Sequence, residues 1–125
     1  MLTNMRPVDE REFSRVLVEA SATGTALEVM GAGTKQRIGR PMQTTANISS
    51  RAMRGVTLYE PNEMVMAARA GTPVAQIEED LAARGQMLAF EPVDFGLFTS
   101  AEERRATIAG VFAMNISGSR ACVQS

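Results

Sequence analysis

The segment Gly31-Ala32-Gly33-Thr34-Lys35 follows the apolar run Ala26-Leu27-Glu28-Val29-Met30. The pattern reads as a strand delivering the chain into a loop able to cradle phosphate. Glycines at alternate positions let the backbone reach positive φ and approach a ligand without Cβ interference, so successive N–H groups can converge on one anion. A nucleotide diphosphate is the ligand class such a loop would take. The alternative is a tight turn between two strands. A Rossmann fingerprint would need glycine where Gln36 stands and a helix opening at once, but Gly39 and Pro41 break the stretch that follows. A Walker loop would need Gly-Lys-Ser/Thr after a four-residue gap from Gly31, and that is absent too. A diphosphate cradle here is therefore built between strands.

The rest of the chemistry-bearing inventory is sparse. With no histidine and the single cysteine Cys122, the usual metal ligands and triad bases are missing. Any reaction has to be carried by a bound cofactor or by another chain. One cysteine also rules out an internal disulfide and fits a reducing, cytoplasmic setting. The net charge of −1 argues against a general nucleic-acid binder, yet its distribution is uneven. Between Glu28 and Glu60 there is no acidic residue, while Lys35, Arg37, Arg40, Arg51 and Arg54 all fall there. A field of that sign would draw an anionic ligand to the loop. The alternative is a solvated basic face whose acidic partners, such as Glu78, Glu79 and Asp80, lie elsewhere.

The elements that position the loop follow from pattern. At 125 residues and 45% apolar, the chain is one domain's worth with a real core. Pro7 suits a first helical turn with Asp9 and Glu10 complementing the helix dipole, and Phe13, Val16, Leu17 and Ala20 predict a helix of about four turns ending near Gly24. Those acidic residues also interrupt the apolar segment that a signal peptide would need. Strands are predicted over residues 26–30, 44–48 and 56–59. Residues 63–70 fit either a helix or a strand; a hairpin turning at Pro61-Asn62 is preferred. Thr72 and Pro73 predict the start of a helix with Val74, Ile77 and Leu81 on its buried face and Arg84-Gly85 at its end. Gly71, just before it, reads either as a close approach of backbone to a ligand or as a simple strand-to-helix turn. Residues 87–90 predict a short strand ending in Glu91-Pro92, and 94–105 an exposed loop. The uncharged stretch 108–116 begins at a possible cap, Thr107, and reads as buried. It is far shorter than the roughly 20 residues of a membrane helix, and Ser117-Gly118 after it reads as a second small-residue turn. The chain ends at Ser125 without a terminal element, which fits a fragment of something longer.

Taken in order, these motifs resemble the FAD-binding half of the vanillyl-alcohol oxidase and p-cresol methylhydroxylase (PCMH) superfamily, most of all the FAD-binding subunits of bacterial glycolate oxidases. The residues carrying the resemblance are Gly31-Ala32-Gly33-Thr34-Lys35 with Gly39-Arg40-Pro41, then Tyr59-Glu60-Pro61-Asn62-Glu63-Met64-Val65 and Ala68-Arg69-Ala70-Gly71-Thr72-Pro73. Ile77-Glu78, Gly85-Gln86-Met87-Leu88, Glu91-Pro92 and Thr107-Ile108-Ala109-Gly110 complete the set.

The resemblance implies an α+β fold, a βα sandwich, with residues 1–125 as the N-terminal part of a PCMH-type FAD-binding domain. It implies that FAD lies in an extended groove, its diphosphate held by the backbone of Gly31, Ala32, Gly33, Thr34 and Lys35. The flavin end would approach Gly71, Pro92, Thr107, Ile108, Gly110, Ser117 and Gly118. It implies oxidation of an alcohol or 2-hydroxy acid by the flavin, and as partners a second flavoprotein subunit and an iron-sulfur subunit. Where superfamily members usually have two glycines, this chain has Ala109-Gly110. Without histidine to carry a covalent bond, the FAD should be noncovalent. Superfamily members continue with the rest of the FAD domain and a substrate cap, so this chain alone should bind FAD weakly or not at all and show no turnover. A second reading is a non-catalytic binding or assembly module without flavin, self-associating through exposed edges. A third is a non-flavin nucleotide domain using the same loop.

Overall fold

The computed structural model describes residues 3–36, 38–93, 106–115 and 117–119. The loop expected at 94–105, together with Arg37 and Cys122, lies outside the described residues.

The chain opens with strand β1 (Asn4–Met5) and helix α1 (Glu10–Thr23). Asp9 caps α1 by accepting the Glu12 N–H at 2.8 Å, and Gly24, at φ 63°, closes it by donating to the Ala20 and Ser21 carbonyls. Because the cap falls at Asp9, Pro7 stands two residues ahead of it rather than in the first turn, and is fully buried. Of the expected stripe, Val16 and Ala20 are buried, Phe13 is half-buried and Leu17 is exposed.

Helix α1 carries the chain across to β2 (Leu27–Met30), and β3 (Ala46–Ser49) pairs in parallel with both strands, giving the order β1-β3-β2. Ile48, opposite Val29 on the central strand, has no exposed surface. Adjacent parallel strands are usually joined through a helix. Here the β2-to-β3 connection, residues 31–45, has no helix or strand among its described residues. The glycine loop is thus the crossover itself, leaving β2 at its carboxyl end.

A short 3₁₀ turn (Ser50–Ala52) leads to the antiparallel hairpin of β4 (Val56–Glu60) and β5 (Val65–Ala68). The connection is a 3₁₀ turn, Pro61–Glu63, followed by Met64 in the left-handed region at φ 53°, so β5 begins two residues later than expected. Tyr59 donates its hydroxyl to Gln86 Oε1, while Gln86 Nε2 donates to the Pro61 carbonyl at 2.8 Å. These bonds fasten the hairpin end to the segment following α2 (Val74–Ala82).

Helix α2 buries Val74, Ile77 and Leu81 as its spacing predicts, and Gly85 at φ 67° marks the turn beyond it. Its start differs from expectation. Pro73 occupies the cap position and no side chain caps the helix. The fully buried Thr72 hydroxyl turns instead to the backbone of Gly55, accepting from its N–H at 3.0 Å and donating to its carbonyl at 3.2 Å. A distant backbone has won the hydroxyl over the local one. Thr72→Val keeps the shape but leaves the Gly55 N–H without its partner, while the Gly55 carbonyl still accepts from Arg69 N at 2.9 Å; the loss should cost about 1–3 kcal/mol in urea unfolding, well above the effect expected for a surface threonine.

Beyond α2, β6 (Phe90–Pro92) and β7 (Ser117–Ser119) form an antiparallel pair flanking α3 (Ile108–Met114). Ser117 and Gly118 are therefore strand residues rather than a turn, because each finds a partner across the pair. The stretch preceding α3 runs against the segment before α2. Val74 N donates to Ala106 O at 2.8 Å, Ile108 N to Thr72 O at 2.9 Å and Ala109 N to Ala70 O at 3.2 Å. Val74, Ala106 and Val111 form a buried cluster with Leu88, Phe90 and Ile108 packed on it. The rest of α3 is less buried than its composition predicts, with Phe112 68% exposed and Met114 37%. One face of so short a helix suffices to fill the cluster, and the other is left open. No described helix is long and apolar enough to cross a membrane. The architecture is mixed α+β, as expected.

Candidate functional site

The two glycines that open the loop are required for different reasons. Gly33 sits at φ 79°, a left-handed conformation that an L side chain rarely adopts. Gly31 has no such φ, but a Cβ there would run into Thr107 Oγ1. The loop's start is anchored by Ser49, whose hydroxyl donates to the Gly31 carbonyl at 2.8 Å and accepts from Arg51 N at 3.2 Å. Inside the loop, Gln36 N donates to Gly33 O at 3.4 Å and Ile38 N to Lys35 O at 3.0 Å. Thr107 faces the loop from the start of α3, where its hydroxyl accepts the Gly110 N–H at 3.3 Å. Between the loop and α3 lies a groove of about 440 Å³.

That volume falls within the roughly 300–1,000 Å³ typical of small-molecule sites. Gly31, Ala32, Gly33, Thr34 and Lys35 line one side, with Thr107, Ala109, Gly110 and Ala113 opposite. Met30, Met42, Met53, Met114, Phe13 and Ile38 supply apolar wall, while Lys35, Arg40 and Glu28 are the charged groups. Glu28 is engaged by Gln36 Nε2 at 3.3 Å. An apolar wall with a few polar groups gathered at one loop is the usual make-up of a cofactor site, and the carboxyl end of a parallel strand is the usual place for one.

Other expected site residues stand elsewhere. Ile108 packs on the core cluster, not the groove. Pro92 pairs with Ser117, and Gly118 with Glu91, in the β6–β7 pair, and none of these lines the groove. Gly71 borders a separate cavity of about 10 Å³ beside Ala32, Arg51, Arg54, Pro73 and Thr107. A Cβ at Gly71 would collide with the Ser50 carbonyl oxygen and lie 2.9 Å from that of Met53, so the close approach made there is to this chain's own backbone. The basic window accordingly divides. Lys35 and Arg40 face the groove, while Arg51 and Arg54 lie behind the loop at the small cavity. The methionine wall carried no signal in the sequence, because its four members come from separate elements.

A strand-flanked glycine loop facing a small-residue helix across an apolar groove is the arrangement of a nucleotide-cofactor site. The profile of the FAD binding domain family matches residues 4–125, and the chain belongs to that family. It is also similar to glycolate oxidase subunit GlcE of Escherichia coli (strain K12), with 36% identity over 115 residues. That match covers 89% of this chain and 31% of the relative's length. FAD is thus the cofactor of this fold, and the residues present fit it: a left-handed glycine, a cationic rim and apolar walls line one groove.

Proposed function

We propose that the groove between residues 31–36 and α3 holds FAD noncovalently, and that the chain is the N-terminal part of the FAD-binding domain of a flavin-dependent oxidoreductase subunit acting in a glycolate, or other 2-hydroxy acid, oxidase complex. The observation that carries this reading is the convergence of the glycine loop, Thr107 and Gly110 on one apolar groove with Lys35 and Arg40 at its rim. When bound, FAD supplies the hydride-accepting chemistry. The chain's part is to orient it. The loop backbone offers N–H groups to the diphosphate, Lys35 and Arg40 supply opposing charge, and the methionine wall excludes water. The identity to GlcE supports the glycolate assignment, with a second flavoprotein subunit and an iron-sulfur subunit as partners. The sequence has no histidine for a covalent flavin link. The chain spans less than a third of that relative's length.

Titration of the purified chain with FAD, followed by flavin fluorescence, should give weak saturable quenching that ADP reverses, with no flavin reduction on adding glycolate. Protection from thermal unfolding by ATP or NAD but not FAD would replace this reading with a non-flavin nucleotide site. A second reading, a flavin-free assembly module, draws on the open face of α3, where Phe112 is 68% exposed. A colourless, stable dimer indifferent to FAD would favour it.

A further inference from the structure

The methionines that line the groove are unequally open to solvent. Met53 is 5% exposed, whereas Met42 is 58% and Met114 37% exposed. The two accessible thioethers come from different sides, Met42 from the crossover between β2 and β3 and Met114 from the end of α3. Met64 and Met87 are more exposed still, at 83% and 69%, but neither lines the groove. Ile38 and Phe13 share the apolar wall and offer nothing comparable for an oxidant to attack. A thioether does: its sulfur attacks the O–O bond of hydrogen peroxide, an S–O bond forms as the O–O bond breaks, and the second oxygen leaves as water with both protons. Sulfur loses two electrons and the peroxide gains them. The sulfoxide that results is polar and chiral where the thioether was apolar.

From this arrangement we propose that Met42 and Met114 are peroxide-modification sites, and that their oxidation, not that of the more exposed Met64 and Met87, lowers the affinity of the groove for its cofactor. The inference rests on the FAD reading above. A ligand lying in the groove covers Met42 and Met114 and leaves Met64 and Met87 open, so occupancy and oxidation oppose each other. Two sulfoxides in the wall must be desolvated by an incoming ligand that has no apolar partner left to offer them. At the cost of about one unpaired polar group, FAD affinity should fall about tenfold. The change is reversible, because methionine sulfoxide reductases act on each of the two sulfoxide epimers.

The test treats the chain carrying Cys122→Ser, which removes the competing thiol, with hydrogen peroxide and follows each methionine by peptide mass spectrometry. Met42 and Met114 should gain oxygen along with Met64 and Met87, while Met53 stays reduced. Saturating FAD should slow the first two and leave the second two unchanged. After the peroxide is removed, FAD should bind about tenfold more weakly, and treatment with both epimer-specific reductases should restore it. Met42→Leu with Met114→Leu, a swap of similar volume, should keep its affinity through the same treatment; Met64→Leu with Met87→Leu should lose it as the parent does. Thermal midpoints taken before and after treatment separate a changed wall from an unfolded chain. Unchanged affinity once Met42 and Met114 are oxidised, or an equal loss in the Met42→Leu, Met114→Leu chain, would overturn the proposal alone. Resistance of both methionines to peroxide while Met64 and Met87 react would do the same. Failure of FAD to bind the untreated chain, or to shield either groove methionine when bound, would overturn it together with the functional reading.

Discussion

Gly71→Ala is expected to be among the most damaging single substitutions in this chain, although it adds one methyl group outside the cofactor groove. The new Cβ would overlap the Ser50 carbonyl oxygen and come within 2.9 Å of the Met53 carbonyl oxygen. Both obstacles are backbone, so no side-chain rotation can clear them. The Gly71 N–H also donates to Met53 O at 2.7 Å, so movement that relieves the clash stretches the bond holding these segments together. Overpacking ordinarily costs about 1–3 kcal/mol, and a rigid obstacle places this case at about 3 kcal/mol or more, a thermal midpoint lowered by roughly 10 °C. Gly24→Ala provides the contrast. Gly24 has φ 63° and nothing within 4 Å of a built Cβ, so only left-handed strain is added, about 1 kcal/mol. Calorimetry on both variants separates the causes. Equal losses would mean that backbone conformation, not space, fixes glycine at position 71.

The same comparison shows how much was legible in advance. Helices α1 and α2 were readable because a stripe at helical spacing and a closing glycine are local signals, and Gly24 and Gly85 both take the left-handed conformation expected of them. The glycine loop was readable as a segment, but of its basic surroundings Lys35 and Arg40 line the groove while Arg51 and Arg54 lie at the separate cavity. What escaped the sequence depends on partners distant along the chain. Thr72 had the residue type and position of a helix cap, but Gly55, 17 residues away, takes its hydroxyl. Ser117 and Gly118 have turn-like composition, yet pairing with Pro92 and Glu91 makes them strand. Gly71 gave a choice between ligand approach and simple turn, and packing against Ser50 and Met53 supplies a third reason that no local pattern encodes. The groove divides along the same line: its glycine side lies in one continuous segment, whereas Met30, Met42, Met53 and Met114 meet only in the folded chain.

Gly31→Ala should also destabilise the chain, and here the loss should be recoverable by a second substitution. Gly31 is not held at positive φ, so alanine is compatible with its backbone and the difficulty is spatial. A Cβ would collide with Thr107 Oγ1, with Thr107 Cβ and Cγ2 each at 3.4 Å. The obstacle is a buried side chain, 3% exposed, that already caps α3 by accepting from Gly110 N. It cannot swing aside without giving up that bond. The single substitution should therefore cost about 2 kcal/mol. Thr107→Ala should cost about 1 kcal/mol through the lost cap. In the double variant the Oγ1 and Cγ2 that obstruct the added methyl group are gone, so the combined loss should stay close to that of Thr107→Ala alone, a coupling of about 1–2 kcal/mol in urea-unfolding measurements. Strictly additive losses would show that glycine is needed at position 31 for some reason other than Thr107. Sub-additive losses would establish that the cofactor loop and α3 are fitted to each other at this contact, which fixes the separation of the two sides of the groove before any ligand enters.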